Sequence, residues 1–146
     1  YIGRCWPSGA TVALNTAGST PYFADDFRYI DMLGLNDRTI AKRRIRRLFL
    51  DWQRMPGHAK GDGAYVLSRE PDFIIIGSAA GDVIDHPWFL SDFEMARDRS
   101  FRQLYALRQV PLALSPEAEE GADSRRFLFR YYQRSDQAEI SCAPTS

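Results

Sequence analysis

Apolar residues in this chain gather into short runs of two periods. "TVALNT" is a β-branched and aliphatic run and predicts a first strand. "RYIDMLG" predicts a second. "DFIIIG", four consecutive apolar residues bounded by Asp72 and Gly77, predicts a central strand buried on both faces. Between the second and third runs, Ile40, Ala41, Ile45, Leu48, Phe49 and Trp52 recur at helical spacing. They predict a helix from about Asp37 to Arg54 that stops before Pro56-Gly57, with Asn36 or Asp37 as its N-cap. "AGSTPYFADD" reads as a small-residue turn opening a short helix. "AYVLSRE" predicts another short helix, ended by Pro71. "LSDFEMARDRSFRQLYAL" predicts one or two helical turns capped by Ser91 or Asp92. "RQVPLAL" and "RRFLFRYYQR" read as an antiparallel hairpin around the acidic loop "SPEAEEGADS".

Strands alternating with helices, then a hairpin, predict an α/β fold. The expectation is a single layered domain over residues 1–135: a mixed, mostly parallel sheet of about four to five strands, flanked by helices and closed by the hairpin. Residues 136–146 read as a C-terminal tail.

The 146 residues suffice for one real core, and 45% hydrophobic with 26% charged residues is ordinary for a globular chain. Zero net charge removes the global basic footprint of a nucleic-acid binder, so no nucleic-acid partner is expected. No window approaches the ~18 consecutive apolar residues of a membrane span. The first residue is Tyr1, not Met; an excised piece of a longer protein is the simplest expectation, and a processed chain looks the same. The two cysteines, Cys5 and Cys142, match no zinc or redox spacing. Domain termini often lie close together, so a bridge between them is one reading, which requires an oxidising compartment. Two unrelated thiols is the other.

The candidate chemistry is sparse. Parallel strands bind ligands at their carboxyl ends, here "NTAGST", "GLND" and "GSAAGD". None fits a dinucleotide or Walker pattern, and no cofactor is expected. Asp31, Asp37, His58, Asp62, Asp85 and His86 have the right atoms for a divalent metal but no diagnostic spacing, so no metal site is assigned. Ser8, Ser19, Ser68, Ser78 and Ser91 sit outside any G-x-S-x-G elbow. Arg38, Lys42, Arg43, Arg44, Arg46, Arg47 and Arg54 oppose only Asp51 in the predicted basic helix. A solvated face covered by arginine stems explains them, and so does contact with an anionic membrane or phosphorylated partner through Arg43, Arg44, Arg46 and Arg47.

Three blocks in order, "GATVALNTAGSTPYFADDFRYIDMLGLNDRTIA", "GHAKGDGAYVLSREPDFIIIG" and "PWFLSDFEMARDRSFRQLYALRQVPL", carry a resemblance over roughly residues 9 to 114. They resemble the C-terminal soluble domain of bacterial multi-spanning glycosyltransferases of the GT-C class, a group that includes the terminal arabinofuranosyltransferases. D-x-L-G-L-N-D and G-H-x-K-G-D-G are the most specific parts. The resemblance implies an extracytoplasmic domain at the bacterial inner membrane, part of an integral membrane protein. Its transmembrane part would bind a polyprenyl-phosphate-sugar donor and hold the catalytic acid, so no catalytic residue is assigned here. The domain would help bind an acceptor glycan of the cell envelope or close over the membrane site. Its partners would be that transmembrane part, the glycan and anionic lipid. Candidate sugar contacts are Asp31, Asn36, Asp37, His58, Lys60, Asp62 and Tyr65, residue types that hydrogen-bond hydroxyls or pack on sugar rings. A physical reading stands beside this one: Asn36 or Asp37 caps the basic helix, and a cation from "GHAKGDG" is the candidate partner of Asp31. A structural or interaction module docking on a membrane or protein, and a stand-alone metal-dependent hydrolase, are the alternatives. The long arginine-rich helix and acidic hairpin loop depart from the group's expected pattern.

Overall fold

The computed structural model describes residues 1–46, 51–112, 127–140 and 142. Helix α1 spans Ile2–Cys5, strand β1 Thr11–Leu14, α2 Ser19–Phe23, β2 Arg28–Asp31 and α3 Arg38–Lys42. Then come α4 (Gly63–Ser68), β3 (Phe73–Ile75), α5 (Leu90–Arg97), α6 (Phe101–Leu104), β4 (Tyr105–Leu112) and β5 (Phe127–Arg134). The described strands form a five-stranded mixed sheet in the order β2-β1-β3-β5-β4. β1 pairs in parallel with β2 and with β3; β5 runs antiparallel to both β3 and β4. The chain is thus an α/β domain with an open sheet, parallel on one side and antiparallel on the other.

Side-chain alternation splits the core in two. Ala13, Ile74 and Tyr132 face one side, where they meet Ile40, Val66, Met95 and Phe101 from α3 to α6. Val12, Leu14, Phe73, Ile75 and Tyr131 face the other, covered by Trp6 and Ala24 just after α1 and α2. Trp6 stacks on Phe73 at 3.9 Å between centroids. A period of two in a strand makes both faces apolar only when helices cover both, which is why "FIII" carries no polar residue.

The predicted long basic helix is not formed. α3 ends at Lys42, and Arg43 leaves helical geometry at φ −58°, ψ 129°. Arg38/Lys42 and Lys42/Arg46 would be like-charge pairs at helical i, i+4 spacing, which weakens continuation. The carbonyl of Arg43 instead accepts the Lys60 ammonium at 2.6 Å. Residues 47–50 lie outside the described residues, and Asp51–Arg54 form one 3-10 turn. Two smaller expectations also change. Neither Ser91 nor Asp92 caps α5: Phe89 is the N-cap, and Asp92, on the first turn, accepts its N–H at 3.2 Å. "YAL", expected at the end of a helix, opens β4 because Tyr105 to Leu107 pair with Arg134 to Tyr132. The acidic loop of the hairpin lies outside the described residues.

Residues at the C-terminal end pack on the domain. Ile140 joins the Trp6 side of the core, the Gln137 amide donates to Asp72, and Cys142 is disulfide-bonded to Cys5 with Cα atoms 5.0 Å apart.

Candidate functional site

The winding of the sheet reverses about β1, with β2 on one side of it and β3 on the other. The β1–β2 connection passes through α2 on the Trp6 side; the β2–β3 connection passes through α3 and α4 on the other. In an open α/β sheet this places the switch point between the carboxyl ends of β1 and β3, the usual ligand crevice. Here the protein fills that position itself. The first turn of α5 enters it: the Ser91 hydroxyl donates to the Met32 carbonyl at 3.1 Å, and Asn15 Nδ2 donates to Asp92 Oδ1 at 2.8 Å. Asp92 is fully buried, and burial pushes its carboxyl up to about 6. Hydrogen bonds from Asn15 and from the backbone of Phe89, Trp88 and Gly77 pull in the opposite direction and only in part offset it. Asn15 Oδ1 is buried without a partner among the described residues.

The open cleft lies one strand over, at the carboxyl end of β2. It encloses about 280 Å³ and is lined by Ala17, Pro21, Tyr29, Asp31, Asn36 and Asp37. β2 delivers Asp31 to its floor. The Asp31 carboxylate does not meet a cation from "GHAKGDG", as expected, but three backbone amides: Leu33 and Gly34 on Oδ1 at 2.9 and 3.1 Å, and Asn36 on Oδ2 at 2.5 Å. The buried acid is a template for the "GLND" turn, because backbone N–H groups satisfy a carboxylate as well as a lysine does. Gly34 completes that turn at φ +73°, where an added Cβ would lie 2.8 Å from the Ala41 nitrogen. Asp37, the N-cap of α3, accepts from the Thr39 and Ile40 amides on Oδ1. Its Oδ2 accepts the Tyr65 hydroxyl at 3.3 Å, and that hydroxyl in turn accepts from Arg69 at 2.8 Å. Asn36 is exposed at the mouth.

Four of the seven candidate contacts therefore come together: Asp31, Asn36 and Asp37 in the cleft, and Tyr65 against Asp37. The other three build a separate structure. Asp62 caps α4 through the Tyr65 amide and pairs with Arg43 at 3.4 Å. Lys60 holds the Arg43 carbonyl, and the His58 ring packs on Phe89 at 5.5 Å. Arg43 joins Asp62 and Lys60, and it also reaches the Gly61 carbonyl at 2.6 Å and Glu94 at 2.7 Å. It is thus withdrawn from the predicted membrane-contact set, of which Arg44 and Arg46 are exposed and Arg47 lies outside the described residues. Asp85 pairs with Arg102 at 2.5 Å. Among the described residues, no three His, Cys, Asp or Glu side chains are grouped to hold a metal.

Sequence reasoning missed Asn15, Asp92 and the aromatic pair Tyr22–Phe23. An asparagine directly after an apolar strand and an aspartate inside "FLSDFEM" were the available signals for the first two. Tyr22 and Phe23 lie on α2, beside the cleft-lining Pro21, with 80% and 83% of their surface exposed and rings 5.1 Å apart at 90°.

The fold and cleft define an α/β domain of open mixed sheet with a small polar site at a strand end. The chain belongs to the family described as Domain of unknown function (DUF8728), whose model matches residues 1–130. No curated protein and no solved structure matches it. Among the described residues, no helix is long and apolar enough to cross a membrane.

Proposed function

We propose that this chain is an extracytoplasmic accessory domain of a polyprenyl-phosphate-sugar-dependent membrane glycosyltransferase of the GT-C class, and that it docks the acceptor glycan without catalysing transfer. One observation carries the glycan-docking part: a solvent-facing aromatic pair, Tyr22–Phe23, stands on the helix that walls a cleft lined by an amide, carboxylates and a tyrosine. Two adjacent large rings left in water are unusual unless they meet a partner. Aromatic faces pack on the C–H faces of sugar rings, and Asn36 and Asp37 offer hydrogen bonds to hydroxyls. Asp31 serves indirectly, by shaping the loop that presents Asn36. The enzyme-class part rests on the ordered "IDMLGLND" and "GHAKGDG" blocks, and the Cys5–Cys142 bond agrees with an oxidising location.

The test is an amide-resolved NMR titration of the 146-residue chain with arabinan and mannan oligosaccharides. Shifts confined to Thr16–Phe23 and Leu35–Asp37, abolished by Y22A/F23A, are expected. Spectra unchanged at millimolar oligosaccharide would remove glycan docking.

A further inference from the structure

A second surface is defined by what the broken basic helix does with its cations. Arg38 and Lys42 lie one turn apart on α3 and are both exposed. Beyond the helix, burial alternates: Arg43 and Ile45 are partly buried, Arg44 and Arg46 exposed. Arg54 is exposed at the end of the 3-10 turn. Among the described residues, none of these five outward cations takes part in an ion pair, whereas Arg43, Arg102, Arg108 and Arg134 all do. Exposed apolar side chains accompany them. Leu35 is 63% exposed and Met55 46% exposed. The two loops that carry them lie side by side, since a side chain's Cβ at Gly57 would fall 3.7 Å from Leu35 Cδ2. Tyr22 and Phe23 are followed by exposed Asp25 and Asp26, which sets that pair apart electrostatically.

We propose that Leu35 and Met55, with Arg38, Lys42, Arg44, Arg46 and Arg54, form a docking surface for an anionic lipid bilayer. The pairing of chemistries selects this partner. Cations that pair with no carboxylate among the described residues match anionic headgroups, and projecting Leu and Met side chains match the acyl boundary beneath them. A soluble polyanion would use the cations and leave the apolar pair in water. The surface stands on charge and exposure alone, independently of the glycan reading. It would set the "GLND" wall of the cleft, through Leu35, at the bilayer surface.

Co-sedimentation of the 146-residue chain with phosphatidylcholine vesicles, with and without phosphatidylglycerol, tests it. Binding is expected only with phosphatidylglycerol and is weakened by high salt. R44E/R46E should lower partitioning about tenfold or more, at roughly 1 kcal/mol per cation near such a surface. L35N/M55N, which removes the apolar side chains without changing the charge, should lower it comparably while leaving retention on an anionic polysaccharide column unchanged. K42Q/R54Q gives a milder reading should either variant lose its fold. Binding indifferent to phosphatidylglycerol overturns the proposal. So does an L35N/M55N variant that binds as well as the parent, which would assign the cations to a soluble polyanion. Failure here leaves the oligosaccharide titration untouched, and failure there leaves this one.

Discussion

Asn15 and Asp92, 77 residues apart in sequence, meet at 2.8 Å where the end of β1 faces the first turn of α5. The contact closes the crevice that open α/β sheets usually leave for a ligand. It also places a carboxylate where its charge is poorly solvated.

That burial makes stability depend on pH. The folded-state pKa of Asp92 is raised to about 6 from 3.8, so the folded chain holds this proton more tightly than the unfolded one. The resulting stabilisation is fully present below about pH 4 and is lost as pH rises through 6. Its size is at most about 3 kcal/mol. Thermal melts from pH 4 to 7.5 should show this loss on top of the other titrations. Asp92→Ala should flatten that part of the profile while lowering stability throughout, because it strands the Asn15 amide and the Phe89 N–H. An unchanged pH slope in Asp92→Ala would show that this carboxylate does not titrate there.

Asp31 and Asn36 line the same cleft but should respond in opposite ways. Asp31→Ala leaves three backbone amides without their acceptor and should cost about 2–4 kcal/mol in a denaturant titration. Asn36→Ala removes an exposed amide and should change stability by less than about 0.5 kcal/mol while weakening oligosaccharide binding. Equal stability of the two variants would show that the Asp31 bonds do not hold the loop.

Gly81 sits at φ +75° in the loop after β3, and its backbone lies against β5, where Arg130 donates its N–H to the Ala80 carbonyl at 2.8 Å. A Cβ at Gly81 would fall 1.7 Å from the Arg130 carbonyl oxygen, so backbone must move. Gly81→Ala should cost about 3 kcal/mol or more, or abolish soluble expression. Gly18→Ala, with nothing within 4 Å of its Cβ, is the control and should be nearly silent. Differential scanning fluorimetry of the pair decides the point.

The Cys5–Cys142 bond closes a loop spanning a sequence separation of 137. In the chain-entropy account a loop of that size contributes up to about 5 kcal/mol by restricting the unfolded chain. Reduction, or C5S/C142S, should lower the melting temperature and open exchange at the amides of Gln137 to Ile140. A melting temperature indifferent to reductant would mean that packing of Ile140 and the Gln137–Asp72 bond alone hold this end.

By itself, the sequence determined the strands and the layering, because those follow from short-range rules. "FIII" and "VAL" put nothing polar on either face, so helices had to cover both sides, and Asp37 caps the helix it precedes through amides two and three residues on. Tertiary structure decided the rest. Helical spacing ran on past Lys42, yet the chain turns there because Glu94, Asp62 and the Gly61 carbonyl, all distant in sequence, draw Arg43 inward. Burial made Asp31 a carboxylate in need of a partner, expected to be a cation, whereas the fold supplies amides from its own turn. Asn15 and Asp92 carry no shared local pattern at all. Which buried polar groups meet is set by desolvation: each must find a partner wherever the packed chain brings one, and that choice is made across the sheet, not along the sequence.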